Sequence, residues 1–230
     1  MKLLGTSNMK TAKGEKLGYL TAILHLAPAK LSGFNVCPKA SVQCAAACLN
    51  TAGMGAFSNV QDARIAKTLA YFNDRDTFMA TLVKDVRSFV KRAAKVGLTP
   101  VIRLNGTSDI RWENEAVEGA ENIMALFPDI QWYDYTKIAN RKNIPANYHL
   151  TFSRSESNDA DVKKAMANGF NVAVVFATKK GEDLPATYLG REVIDGDVSD
   201  VRFQDKTGVV VGLRAKGKAR KDHGGFVVAV

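Results

Sequence analysis

Short apolar runs alternate with longer amphipathic stretches over most of the chain. The short runs are rich in β-branched and aromatic residues, which is typical of buried strands, whereas the longer stretches carry apolar residues at helical spacing. The predicted strands cover residues 17–24, 100–105, 130–135, 148–153, 171–176, 191–194, 209–213 and 226–230. The predicted helices cover residues 59–72, 74–95, 116–127 and 159–168. This alternation indicates a parallel sheet with helical crossovers.

Polar residues follow the carboxyl ends of the first four predicted strands. Three cysteines follow the first strand, and polar clusters at 105–109, 134–137 and 153–156 follow the next three. In a parallel barrel these strand ends converge on one mouth, whereas no glycine-rich loop of a nucleotide-binding doubly wound sheet is present. The sequence therefore predicts an α/β fold, a partial (β/α)6-like TIM barrel with the cysteine loop after the first strand and a more β-rich C-terminal part.

The composition is that of a globular chain, with 46% hydrophobic and 24% charged residues among 230. No apolar run approaches the roughly 18 residues that a membrane-spanning helix needs, so we expect no membrane partner. No linker or low-complexity segment divides the chain, which predicts a single domain over residues 1–230. The absence of a leader sequence predicts a cytoplasmic protein, in the host cell cytoplasm if the protein is viral.

The net charge of +9 favours an anionic partner. The densest basic cluster is the run from Arg214 to Lys221 near the C-terminus. Such a run can contact phosphates without reading sequence, but it has no interleaved aromatic residues on which bases could stack. A solvated basic segment is the simpler interpretation, and nucleic acid binding through this surface is the alternative.

Cys37, Cys44 and Cys48 are the three cysteines of the chain, in the spacing Cys-x6-Cys-x3-Cys. An odd number cannot pair completely in internal disulfides, which favours a reducing compartment. A structural zinc site normally takes four protein ligands, and no second cysteine pair exists to complete one. Zinc would therefore need a distant histidine, and the candidates are His25, His149 and His223.

A [4Fe-4S] cluster fits the three thiols without a remainder, because three thiolates can hold it while the fourth iron stays open to a small molecule. Cys44 and Cys48 would share one helical face, and the alanines around them let the chain wrap closely around a cluster. The alternative without a metal is that the cysteines are small apolar core residues. We predict the cluster, with Cys37, Cys44 and Cys48 as its ligands.

Arg103 lies in an apolar predicted strand, where an unpaired charge would be costly. We expect it to point into a polar centre and to pair with Asp109, with Asp134 or with a bound anion. The predicted cofactor-binding residues are Arg103, Asn105, Gly106, Ser108 and Asp109. Ser108 and Asp109 are equally typical of helix caps. A divalent-cation site at Asp195, Asp197, Asp200 and Asp205 is a lesser alternative, because Asp-Gly-Asp is more typical of a turn.

A three-cysteine loop after the first strand of a partial barrel resembles the radical S-adenosylmethionine enzymes, whose usual motif is Cys-x3-Cys-x2-Cys. That resemblance implies S-adenosylmethionine as a possible cofactor at the open iron. The chain is more closely similar to a phage family called gene product eighty-eight, over most of its length. The motifs that carry this similarity are Asn-Val-Cys-Pro at 35–38, Cys-x3-Cys at 44–48, Arg-Ile-Ala-Lys-Thr at 64–68, Arg-Leu-Asn-Gly-Thr-Ser-Asp at 103–109 and Asp-Gly-Asp-x2-Asp at 195–200.

Two hypotheses of different classes follow. In the first, the protein is an enzyme that binds S-adenosylmethionine or another small molecule at the open iron, with Tyr133 and Lys137 also at the mouth. No catalytic residue can be named from the sequence. In the second, it is a non-catalytic iron-sulfur or zinc protein whose basic surface binds nucleic acid or a host partner.

Overall fold

The computed structural model describes residues 1–6 and 13–230 as a mixed α/β fold. Its strands are β1 Leu4–Gly5, β2 Tyr19–Leu24, β3 Thr99–Arg103, β4 Gln131–Thr136, β5 Tyr148–Ser153, β6 Val172–Phe176, β7 Thr187–Tyr188, β8 Arg191–Asp195, β9 Val210–Arg214 and β10 Val227–Val228. Its helices include α1 Val42–Ala46, α2 Ser58–Asn73, α3 Arg75–Lys95, α4 Ile123–Leu126 and α5 Asp159–Ala167. Short 3-10 turns occur at Leu49–Thr51, Gly53–Ala56, Trp112–Asn114, Arg202–Gln204 and Gly217–Lys221.

All ten strands form one sheet in the order β1-β2-β3-β4-β5-β6-β9-β8-β7, with β10 paired to β6. Strands β2 to β6 are parallel and lie side by side in chain order, as successive crossovers in one direction require. β1 and β7 are antiparallel to their neighbours at the two edges. Among the described residues no strand pairing joins β1 to β7, so the sheet is open.

The long helices cover one face of the sheet at its β1–β5 end. Residues of β2 and β3 such as Leu24 and Ile102 pack in one apolar cluster with Leu82 and Phe89 of α3. α3 begins at the cap Asp74, whose Oδ1 accepts a hydrogen bond of 3.1 Å from Thr77 N, and Gly97 follows its end at φ 68°. A second cluster joins α5 to β5, β6 and β9.

The opposite face of β3, β4 and β5 is polar and is covered by the Arg202–Gln204 turn. Because side chains alternate along a strand, Arg103 and Tyr133 lie on this face, while Ile102 and Trp132 lie in the apolar cluster. The Phe203 ring of the turn packs edge-on against Tyr133, with the ring centroids 5.4 Å apart. Both faces of the central strands are therefore buried.

The predicted parallel strands are confirmed, with boundaries within a few residues of those observed. The helix predicted over 116–127 is wrong, because only Ile123–Leu126 is helical. Glu118 and Gly119 have φ values of 47° and 80°, and Val117 and Ala120 exchange backbone hydrogen bonds across the resulting turn. A left-handed pair of residues ends helical hydrogen bonding, so this amphipathic stretch folds as a turn followed by a short helix.

The predicted α/β class is confirmed. The observed sheet is open, so the curvature of its strands into a partial barrel stays a prediction. Strands β1 and β7 are each too short to leave a periodic signal in the sequence. Within residues 1–6 and 13–230, no helix is long and apolar enough to cross a membrane.

Candidate functional site

The cysteine segment leaves the carboxyl end of β2 and reaches Cys37 through a stretch without helix or strand. Cys44 lies on α1, and Cys48 precedes the Leu49–Thr51 turn, where its Sγ accepts a hydrogen bond of 3.5 Å from Asn50 N. All three thiols are half-buried and free. The predicted sharing of one helical face by Cys44 and Cys48 is wrong, because α1 ends at Ala46, before Cys48.

The loop after β3 packs directly against the Cys37 loop. Asp109 N donates a hydrogen bond of 2.8 Å to Val36 O. The Cys37 thiol donates to Thr107 O, with Sγ and O 3.6 Å apart. At Gly106 a Cβ atom would lie 2.7 Å from Leu24 O and from side-chain atoms of the β2 end. Only glycine permits this close approach of the two loops.

The loops after β4 and β5 reach the same place. Asp109 Oδ2 accepts a hydrogen bond of 2.8 Å from Lys137 N, directly after β4. Glu156, after β5, accepts hydrogen bonds from Ser41 Oγ at 2.7 Å and from Gln43 N at 3.0 Å at the start of α1. The prediction that the four polar clusters converge at one end of the parallel strands is confirmed.

Burial and mutual repulsion govern the electrostatics of the thiols. Burial, together with negative charge on Cys48, Asp109 and Cys44, raises the pKa of Cys37 to about 12. Burial also raises the pKa of Cys48, to which a thiolate at Cys44 adds. A thiolate at Cys44 therefore opposes ionisation of both Cys37 and Cys48.

Backbone N–H groups and two cations oppose these effects. Ala29 N donates a hydrogen bond of 3.4 Å to Cys37 Sγ, and this bond lowers the pKa of Cys37. Arg64 of α2 and Lys137 lower the pKa of Cys48 by their positive charge. Arg64 is held by a hydrogen bond to Asn50 Oδ1, on the turn after Cys48. Sequence reasoning found Lys137 but gave Arg64 no role, because its position on α2 is remote from the cysteines along the chain.

Two of the five predicted cofactor-binding residues, Asn105 and Ser108, are engaged within the loop itself. Asn105 Oδ1 accepts hydrogen bonds from Ser108 Oγ at 2.9 Å, from Ile110 N at 2.9 Å and from Trp112 Nε1 at 3.1 Å. The Asn105 amide nitrogen donates to Ile110 O. Asn105 and Ser108 therefore shape the loop that contacts Cys37, and Asp109 ties it to β4.

Arg103 is buried in a polar centre, as expected from its place in an apolar strand. Its Nη1 donates to Asp200 Oδ2 at 2.6 Å, and its Nε lies 3.8 Å from Asp134 Oδ1. The expectation of a pair with Asp134 is confirmed, whereas Asp109 pairs instead with Arg141, whose Nη1 lies 3.6 Å from Asp109 Oδ1. Asp200 was not among the expected partners of Arg103, because nothing in the local pattern indicates a contact across 97 residues.

The described residues contain no group of three His, Cys, Asp or Glu side chains arranged around a single metal ion. The aspartates considered as a divalent-cation site pair with cations: Asp195 and Asp197 with Arg214, Asp200 with Arg103, and Asp205 with Arg202. Their carboxylates therefore neutralise arginines on three different elements.

The C-terminal basic run lies beside the cysteine segment. Its Gly217 packs against Ala52, and Gly224 beyond the run packs against Gln43 of α1. Lys218, Arg220 and Lys221 are exposed, and no described carboxylate lies within ion-pair distance of them. Positive charge therefore borders the site.

A sequence model of the family described as gene product 88 matches residues 2–229. No curated protein and no solved structure matches the chain. The resemblance to the radical S-adenosylmethionine enzymes therefore has no support from these comparisons.

Proposed function

The chain belongs to the phage gene product 88 family, and on that premise we propose that it binds a [4Fe-4S] cluster through Cys37, Cys44 and Cys48. One iron of this cluster has no protein thiolate and is open to S-adenosylmethionine or another small molecule. We also propose that the sheet curves as a partial barrel, which would turn the carboxyl ends of β2 to β5 toward that iron.

The observation that carries the proposal is the placement of three half-buried thiols on one segment, two of which accept hydrogen bonds from backbone N–H groups. Ala29 N and Asn50 N donate to Cys37 Sγ and Cys48 Sγ at 3.4 and 3.5 Å. Hydrogen bonds of this kind stabilise the negative charge of cluster thiolates and tune their redox potential. A thiolate cluster also needs compensating positive charge, which Arg64 and Lys137 supply near Cys48.

The donor set supports a cluster over a single zinc ion. A structural zinc site takes four protein ligands, and the chain has three cysteines. A cubane accepts three thiolates that are farther apart, because each binds a different iron.

A bound cluster would supply one-electron transfer or Lewis acidity at the open iron. The residues of this chain would hold and orient it: Asn105 fixes the loop that contacts Cys37, and Glu156 fixes the start of α1 before Cys44. Thiols whose pKa is raised by burial lose their protons on binding metal, so the uptake of iron releases protons from Cys37 and Cys48.

Anaerobic reconstitution with iron and sulfide tests the proposal. We expect about four irons per chain and a brown protein, as three thiolates on a cubane require. Each single replacement, of Cys37, Cys44 or Cys48 by serine, should cause loss or degradation of the cluster. Ala46→Ser introduces the same hydroxyl on α1 without removing a thiol and should keep the full iron content. Zinc as the sole metal, or iron that survives a triple-serine variant, would contradict the proposal.

The alternative is a non-catalytic cluster protein whose basic surface binds nucleic acid or a host partner. The exposed cations Lys218, Arg220 and Lys221 beside the cysteine segment favour it. Electron paramagnetic resonance separates the two functions. A change in the cluster spectrum when S-adenosylmethionine is added supports the open-iron enzyme, and an unchanged spectrum supports the non-catalytic protein.

A further inference from the structure

A pocket of about 360 Å³ opens beside Cys37. Val36 and Pro38, the two neighbours of Cys37 in the chain, line one side, and Tyr71 and Phe72 of α2 line another. Ile110 and Ile138, from the loops after β3 and β4, complete the apolar wall. This volume lies within the range of small-molecule sites, and the mixture of aromatic and aliphatic walls is typical of them.

The aromatic wall is held in place by stacking. The rings of Phe34 and Phe72 are nearly parallel, at 7° with centroids 4.3 Å apart, and Tyr71 packs edge-on against Phe72 at 5.0 Å. Such contacts restrict the ring rotamers before any ligand arrives. The pocket therefore presents a preformed apolar surface that suits a flat ring.

Asp109 lines the pocket and is more than nine-tenths buried. Its Oδ1 is shielded from solvent and lies 3.6 Å from Arg141 Nη1, and its Oδ2 accepts a hydrogen bond of 2.8 Å from Lys137 N. Arg141 therefore opposes the negative charge of this carboxylate within the protein.

Positive charge also lines the pocket, through Lys39 and Arg111. Lys39 is exposed, and Arg111 donates its hydrogen bond to the neutral Asn140 Oδ1 at 2.9 Å. No described carboxylate lies within ion-pair distance of either cation. Unpaired cations beside an apolar cavity attract an anionic group.

We propose that this pocket binds a small anionic molecule with a flat ring, which packs against Tyr71 and Phe72 and whose negative group faces Lys39 and Arg111. The pocket is built without any metal, so binding to it does not depend on the proposed cluster. That the same ligand meets the open iron rests on the proposed function.

The test uses 8-anilinonaphthalene-1-sulfonate, which carries fused rings, one N–H group and a sulfonate. Fluorescence titration of the folded protein should give one saturable site in both the metal-free and the reconstituted protein. The neutral analogue N-phenyl-1-naphthylamine should bind at least about tenfold more weakly, because it lacks the anionic group. The titration of the metal-free protein tests the pocket independently of the cluster. Failure of iron reconstitution would therefore not count against the pocket.

Two variants and one control assign the site. Lys39→Glu combined with Arg111→Glu reverses the charge at two side chains that are not fully buried and should weaken binding at least about tenfold. Ile110→Trp fills the cavity and should abolish binding. Phe57→Ala removes an exposed ring outside the pocket and should leave the dissociation constant unchanged. Undiminished binding in the charge-reversed variant, or loss in Phe57→Ala, would overturn the proposal.

Discussion

Arg103 is the last residue of β3, and carboxylates and aromatic rings surround its guanidinium group. Asp200 Oδ2 lies 2.6 Å from Nη1, and the Tyr133 and Tyr135 rings lie 5.6 and 5.1 Å from the guanidinium carbon. A charge in an apolar strand predicts a buried partner, because an unpaired buried ion is too costly. The identity of the partner depends on the path of the chain after β8, which local sequence does not encode.

Replacing Arg103 by methionine keeps much of the side-chain volume and removes the charge. We expect it to lower the free energy of unfolding by about 3–5 kcal/mol, because Asp200 and Asp134 keep buried charges without their cation. Urea denaturation measures the change.

Arg87→Met is the matched control, since the Arg87–Glu118 pair is exposed and is worth less than about 1 kcal/mol. Equal costs for the two variants would mean that Arg103 does not organise the buried polar centre.

At the scale of elements, α1 is too short to be stable by itself and is held from outside. Ser41 caps it by accepting a hydrogen bond of 3.2 Å from Cys44 N, and the helix has no acidic residue in its first turn. Glu156 supplies the negative charge from the loop after β5 and accepts from Gln43 N. A carboxylate at a helix N-terminus satisfies free N–H groups and stabilises the helix.

Glu156→Ala should therefore loosen the segment that carries Cys44. We expect a loss of about 1 kcal/mol in stability and faster alkylation of the Cys44 thiol, measured by mass spectrometry of the metal-free protein. Glu182→Ala removes a similar carboxylate that accepts from Lys179 N at 2.7 Å, in a part of the chain without cysteines. The Glu182→Ala variant should leave the alkylation rate of Cys44 unchanged. An equal increase of this rate in both variants would contradict the role of Glu156 in holding α1.

At the scale of the whole molecule, the polar face of the central strands is covered by the Arg202–Gln204 turn from the C-terminal part of the chain. His149 of β5 is half-buried on this face, and burial together with the positive charge of Arg202 lowers its pKa. Unfolding exposes the imidazole, which then takes up a proton below about pH 6.5. The unfolded state binds more protons than the folded state there, so His149 makes stability fall as the pH falls through this range.

His149→Gln should remove this part of the pH dependence. We expect the loss of stability between about pH 7 and pH 5 to be smaller in the variant than in the wild type, as measured by urea midpoints. Burial raises the pKa of Asp134 to about 6, which acts with the opposite sign in the same range and cancels when variant and wild type are compared. His223→Gln changes an exposed histidine and should leave the profile unchanged.

Local sequence patterns are sufficient to predict the central parallel strands, the long helices and the position of the cysteine segment after β2. Buried strands such as Val172–Phe176 and the amphipathic α3 leave periodic patterns, and cap residues such as Asp74 mark element ends, so local chemistry is sufficient. It also determined that polar clusters at 105–109 and 153–156 would meet the cysteines, because parallel strands bring their carboxyl ends to one side.

Which side chains act on one another depends on contacts that form when the chain folds. Arg64 on α2 lowers the pKa of the Cys48 thiol, Asp200 neutralises Arg103, and the pocket beside Cys37 takes its walls from four separate segments. These contacts join residues far apart in the chain, so no local pattern contains them. The turn at Gly119 was missed for a related reason: an amphipathic stretch favours a helix, but packing and left-handed backbone geometry select the turn.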